Sequence, residues 1–185
     1  MIIKTLKDIA QLLKKSNIPY MVMGGQAIVV YGRPRFTQDI DITVALTPEE
    51  SDPLLNAVGE VFRVLPEDVK KFIRETWVLP LEHIETKVKV DIVFSITPFE
   101  REAIGRAREI LIDDVSVEYI APVHLVVQKI IAGRTRDLED AMGVLEVQGK
   151  EIDVAEIEKI IKAVAKGAEG KEWLKRWRKL RKGIP

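Results

Sequence analysis

Apolar residues first recur at Leu6, Ile9, Ala10 and Leu13, the three- and four-residue spacing of one helix face. Asn17-Ile18-Pro19 ends that rhythm, because proline cannot continue a helix and biases its predecessor towards extended backbone. Tyr20 to Met23 is a short apolar run that reads as a buried strand, and it runs into Gly24-Gly25. Gln26 to Tyr31 turns helical again, with Gly32 in the place of a C-terminal cap. Between Gln38 and Ala45 the period changes to two: Asp39 and Asp41 alternate with Ile40 and Ile42, the mark of a strand with one buried face.

Thr47-Pro48-Glu49-Glu50 carries proline at a first helical position and acids in the first turn, so a helix is expected from there to Val61. Pro66-Glu67-Asp68 opens another, to about Glu75. Trp77–Leu81 and Glu85–Phe94 read as strands. In the second, Val88, Val90, Ile92 and Phe94 share one face, and Lys87, Lys89 and Asp91 the other. Thr97-Pro98-Phe99-Glu100 starts a helix, and Val115–Ile120 is expected to be an edge strand. From Pro122 onward the pattern is helical throughout. Its apolar faces run through Val123, Val126, Val127, Ile130 and Ile131, then Leu138, Ala141, Met142 and Leu145, then Val154, Ile157, Ile160, Ile161 and Val164. Lys171–Lys182 is a basic last helix. The expectation is an α/β (α+β) fold: a mixed sheet flanked by helices over residues 1–120, then a small helical region over 121–185.

Hydrophobic residues make up 46% of the 185 positions, enough for a substantial core. No apolar run approaches the roughly 20 residues of a membrane helix, and Met1-Ile2-Ile3-Lys4 does not begin a signal peptide. Cysteine is absent, which excludes disulfide and thiolate chemistry and fits a cytoplasmic protein. The 29 basic and 29 acidic residues balance, so any polyanion contact must come from a local patch. Asparagine occurs only at Asn17 and Asn56 in a chain rich in Glu, Lys, Ile and Val, a bias that points to a thermophilic source.

The chemistry concentrates at the aspartates. Asp39 and Asp41 project from one strand face, where two carboxylates repel and are costly to desolvate unless a cation holds them. Aspartate is also disfavoured in strands, so two on one face need a reason beyond solvation. Oxygen ligands of this kind suit Mg²⁺ or Mn²⁺, which complete their shells with water and substrate phosphates. If the later strand lies beside the first, Asp91 adds a third acid, and such a set can hold two metals about 3.5–4 Å apart. The competing reading for Asp91 is a solvated ladder with Lys87 and Lys89. Gly24-Gly25 permits a tight strand-to-helix turn and close backbone approach to a ligand. Walker-type and dinucleotide-binding glycine patterns are absent.

Gly24-Gly25, the intervening helix, Asp39-Ile40-Asp41 and Asp91 together resemble the signature of the polymerase-beta-like nucleotidyltransferase superfamily. Small stand-alone members are the nearer likeness, both toxins of the abortive-infection type and antibiotic nucleotidyltransferases. The resemblance implies a nucleotidyltransferase-type mixed sheet with Asp39, Asp41 and Asp91 as metal ligands and catalytic residues. It implies nucleotide binding at Gly24, Gly25, Arg35 and Thr37. The run from Lys129 through Ala132-Gly133-Arg134 to Arg136-Asp137 and Glu139-Asp140 is similar to one in the abortive-infection-type relatives, which implies a triphosphate contact for Lys129. Ion pairing within a helical hairpin is the simpler reading for Arg136, Asp137 and Asp140. The expected partners are an NTP, an acceptor that is RNA such as tRNA, protein or a small molecule, and an antitoxin if the chain is a toxin. An aminoglycoside or lincosamide acceptor, or a non-catalytic nucleotide-binding module, is the alternative. His83 and His124 lack partners at metal-ligand spacing and read as structural. Trp173, Trp177 and Leu180 read as the docking face of the basic last helix, with RNA contact its second reading.

Overall fold

The computed structural model describes residues 1–183. Helix α1 (Ile2–Lys15) buries Leu6, Ile9, Ala10 and Leu13, as the spacing predicts. Strand β1 (Tyr20–Met23) leads directly into α2 (Gly24–Tyr31). The two glycines are therefore the first turn of the helix rather than a loop before it. Strand β2 (Asp39–Val44) buries Ile40, Ile42 and Val44. The helix expected to reach Val61 is shorter: a single 3-10 turn at Pro48–Glu50 leads to α3 (Asp52–Val58), and Phe62–Val64 is strand β3. Helix α4 (Val69–Thr76) starts where Asp68 accepts a hydrogen bond from the Lys71 amide.

Strand β4 (Val78–His83) and strand β5 (Lys89–Phe94) flank a turn built by a side chain. His83 is buried, and its Nδ1 accepts from the Glu85 and Thr86 amides at 3.2 and 3.1 Å. That places the ring proton on Nε2, 2.8 Å from Asp8 Oδ2. Lys87 adopts φ +62° in this turn, so β5 begins at Lys89 and not at Glu85. Helix α5 (Pro98–Gly105) has the Thr97/Glu100 capping box at its start. It is followed by β6 (Arg108–Ile112) and β7 (Val115–Tyr119), a hairpin through Asp113 at φ +53°.

Among the described residues these seven strands form one mixed sheet in the order β3-β4-β5-β2-β1-β7-β6. β2 pairs parallel with β5 and β1 parallel with β7; the other pairs are antiparallel. Strand β7, expected at the edge, lies inside, and β6 takes the edge. Strand β6 was hidden because none of its side chains is fully buried, and Leu111 is 71% exposed.

Four further helices follow: α6 (Pro122–Ala132), α7 (Thr135–Gln148), α8 (Val154–Val164) and α9 (Gly167–Arg181). The chain divides into two compact units. One holds the whole sheet and comprises Met1–Gln26 and Phe36–Ile120; the other comprises Ala27–Arg35 and the chain from Ala121 on. Within the helical unit, Gln148 Nε2 donates to the Tyr31 carbonyl at 3.0 Å, and Arg33 pairs with Glu146. Arg176 Nη1 donates to the carbonyls of Ile130 and Ile131 at 2.9 and 3.0 Å, closing the C-terminal end of α6. Gly133 caps that helix at φ +67°, and a Cβ there would fall 1.9 Å from Arg176 Nη1. Gly133→Ala thus meets both a left-handed backbone and the guanidinium. It is expected to lower stability by roughly 1–3 kcal/mol, read as a fall in melting temperature, while exposed Gly59→Ala, with open space around its Cβ, leaves it nearly unchanged.

Candidate active site

Strands β2 and β5 run in parallel with Asp41 opposite Asp91 and Asp39 opposite Lys89. Their shared alternation sends Ile40, Ile42, Val90 and Ile92 into the core, all fully buried, and leaves the three aspartates on the other face. Asp39 is exposed; Asp41 and Asp91 are half-buried. Burial pushes the Asp91 carboxyl above the usual carboxylate range, the Asp39 charge pushes the same way, and Lys89 offsets part of it. Loss of solvent is thus the larger cause and the one neighbouring carboxylate the smaller.

The start of α2 completes the face. Gly24 has φ +60°, and a Cβ built on it would lie 2.0 Å from Asp41 Oδ2. Asp41 thus sits where a side chain of residue 24 would stand. A Cβ on Gly25 would lie 2.5 Å from Thr37 Oγ1, and that hydroxyl donates to Asp39 Oδ1 at 2.9 Å. The glycines were expected to clear space for a ligand; the atoms filling that space are the carboxylate of Asp41 and the hydroxyl of Thr37. Gln26, which the sequence reading passed over, is buried and donates Nε2 to the Asp39 carbonyl at 3.1 Å, fixing the entry of β2. Its signal was a lone amide directly after the glycine pair in an otherwise apolar helix.

The donor set suits a hard divalent cation, since carboxylate oxygens in mutual repulsion gain most from one. Among the described residues, no three His, Cys, Asp or Glu side chains converge as a ready-made metal cage. Magnesium sites in phosphoryl chemistry use one or two carboxylates together with waters and substrate phosphates, so this arrangement is compatible with one.

Arg35 and Lys129 lie in the helical unit, in a network of their own. Lys129 is not among the apolar positions of its helix, but α6 is buried along nearly its whole length, and Lys129 is 6% exposed. Its Nζ donates to Asp137 Oδ1 and Asp140 Oδ2, each at 2.9 Å. Arg35 makes a two-point pair with Asp140 at 3.0 and 3.1 Å, and Arg134 Nε donates to Asp137 Oδ2 at 2.6 Å. Burial raises the Asp137 and Asp140 carboxyls, but the hydrogen bonds from these cations together outweigh it and hold both below the usual range. The ion-pairing expected of Asp137 and Asp140 is thus what the structure shows, and it takes in Arg35 and Lys129 as well. Arg136 is exposed.

Comparisons with known proteins agree with this fold. The family model described as "Nucleotidyltransferase of unknown function (DUF6036)" matches residues 1–182. No curated protein sequence matches the chain. Among solved structures, an antigenic nucleotidyltransferase-like protein from Paracoccidioides brasiliensis superposes with a TM-score of 0.57 at 18% identity, covering 97% of this chain and 87% of that one. The antibiotic-resistance factor ANT(2'')-Ia gives 0.59 at 15% identity, with 97% and 95% covered. The lincosamide antibiotic adenylyltransferase LnuA, lincomycin-bound, gives 0.51 at 14% identity, with 76% and 96% covered. At these identities the likeness is one of fold.

Two outcomes follow from the geometry. Lys129→Met leaves two buried carboxylates short of a cation and is expected to lower stability by about 3–5 kcal/mol, measured by urea denaturation. Because both aspartates have depressed folded-state pKa values, their contribution is present above the unfolded value near 3.8 and is lost as pH falls below it. Wild-type stability should therefore drop on acidification through that range, and the drop should be smaller in Asp137→Asn with Asp140→Asn.

Proposed function

Because the chain belongs to the DUF6036 nucleotidyltransferase family, we propose that its acidic sheet face carries out a divalent-cation-dependent transfer of a nucleoside monophosphate from an NTP to an acceptor oxygen. Pyrophosphate is the other product. The observation that carries this reading is the parallel register that sets Asp41 against Asp91, with Asp39 on the same face and Gly24 beneath. When bound, Mg²⁺ or Mn²⁺ supplies neutralising charge to the triphosphate and to the oxygens that gain charge as the phosphorus changes partners.

Asp39 and Asp41 are the residues we assign to hold that ion, with Asp91 as third ligand. Thr37 keeps the Asp39 carboxylate from rotating away, and Gln26 keeps the strand in place beneath it. The amides of Gly24 and Gly25 open a helix and have no partner within it, so they are donors for phosphate oxygens. Asp91, made more basic by burial and by Asp39, takes the proton of the acceptor hydroxyl as its oxygen attacks the α-phosphorus. Arg35 and Lys129 are engaged with Asp137 and Asp140, so the reading rests on the acidic face alone.

The test is label transfer from α-labelled NTPs in the presence of Mg²⁺ or Mn²⁺, with tRNA, protein and aminoglycoside or lincosamide acceptors offered in parallel. Label on tRNA or protein marks a toxin-type activity, and an antitoxin partner would then be sought. Label on an antibiotic marks a resistance-type activity. Cation-dependent NTP binding without transfer to any acceptor would identify a nucleotide-binding module instead. Asp39→Asn with Asp41→Asn is expected to abolish cation-dependent NTP binding. Asp91→Asn is expected to slow transfer by roughly 10²–10⁴-fold and at the same time to raise the melting temperature at neutral pH. The sign follows from the raised pKa: the folded state binds the Asp91 proton more tightly than the unfolded one, so at neutral pH the ionised group opposes folding. An Asp91→Asn protein that keeps wild-type turnover removes Asp91 from the mechanism.

A further inference from the structure

The basic last helix is not used by the chemistry above. Residues 166–182 hold eight basic and two acidic side chains, a net of six positive in a chain whose formal charge is zero. The rest of the molecule is therefore net acidic, and the positive charge is concentrated on α9 and its two flanking residues. Within that segment the cations divide by job. Arg176 is spent on the α6 carbonyls, and Arg181 pairs with Glu158 at 2.5 Å. Trp177 and Leu180 are buried and form the anchored side of the helix.

Lys171, Lys175, Arg178 and Lys182 follow one another at intervals of four, three and four residues. At 100° per residue these fall within about 40° of one line along the helix, and at 1.5 Å per residue they span about 16 Å. All four are exposed. Among the described residues, Lys171, Arg178 and Lys182 have no carboxylate partner, and Lys175 has only a loose one in Glu172 at 3.7 Å. The macrodipole does not explain the line. It favours cations at the C-terminal end, where Arg178 and Lys182 lie, but gives no reason for Lys171 and Lys175 further back. A straight row of four exposed cations about one helical turn apart, lacking strong internal counter-ions, matches a chain of phosphates.

We infer that this face of α9 docks the phosphate backbone of RNA. An anionic lipid surface is the weaker match. Membrane-binding basic helices present an apolar face for insertion, and here that face is buried as Trp177 and Leu180. The row reads backbone charge and carries no base-specific donor set, so it gives affinity without sequence preference. The inference stands on its own with respect to the transfer reaction: docking requires neither cation nor NTP, and either can fail without the other.

The experiment is fluorescence anisotropy of the full chain with labelled single-stranded RNA and tRNA, without NTP or divalent metal, across 50–200 mM salt. Four phosphate contacts predict a log–log salt slope near −3 and a loss of affinity of roughly a hundredfold across that range. Lys171→Ala, Lys175→Ala, Arg178→Ala and Lys182→Ala combined should flatten the slope towards zero. Replacing the three lysines by arginine should preserve it, a rescue that a folding defect in the alanine variant cannot mimic. Alanine at Lys14, Lys15, Lys70 and Lys71, four exposed lysines of α1 and α4, should change affinity by less than about twofold in the same range. The inference is overturned if wild-type protein shows no salt-dependent RNA binding. It is equally overturned if the control variant loses as much as the α9 variant. Stripe-dependent binding of phosphatidylserine vesicles in place of RNA would overturn it too.

Discussion

Everything at the acidic face depends on the parallel register of β2 and β5. A one-residue slip would move Asp91 into the core and Val90 or Ile92 out of it, because side chains alternate with a strict period of two. The core enforces the register: Ile40, Ile42 and Val44 on one strand and Val90, Ile92 and Phe94 on the next are all fully buried. Hydrophobic burial thus holds together charges that would otherwise separate. Asp91, desolvated and facing Asp39, is a local stability defect sustained by the apolar side of the same two strands, a common arrangement at functional sites.

The helical unit handles charge in the opposite way. Three cations, Arg35, Lys129 and Arg134, donate to the two carboxylates of Asp137 and Asp140. Both clusters are built on aspartates, one on the face of two strands and the other between helices that supply Lys129 and Arg134. One sets carboxylates side by side on a sheet face; the other pairs them with cations.

The alternation around Asp39 and Asp41 was legible because a two-residue period with buried isoleucines has few alternative readings. The amphipathic helix α1 was legible for the same reason at its own period. What escaped was short or locally determined. Strand β3 has only three residues, directly after the helix expected to reach Val61, too few for a period of two to show. Strand β6 was invisible because an edge strand need not bury alternate residues. The start of β5 is set by Lys87 in a left-handed turn organised by His83, a contact that sequence spacing does not encode. The state of Lys129 was misleading for a related reason. A lysine on a helix is ordinarily solvated, and only the return of α7 brings two aspartates to it.

Gly24–Tyr31 begins in the sheet unit and ends in the helical one, and the chain returns to the sheet at Phe36. The segment Ala27–Arg35 finds its helical-unit partners, Val144 against Gly32, Gln148 on Tyr31 and Asp140 on Arg35, only in residues more than a hundred positions later. On the ribosome those partners are still unmade when the sheet's last strand emerges. The excursion makes the helical unit a completion step for the polypeptide. A gene truncated after the sheet would lack the residues that hold Tyr31, Gly32 and Arg35 in place.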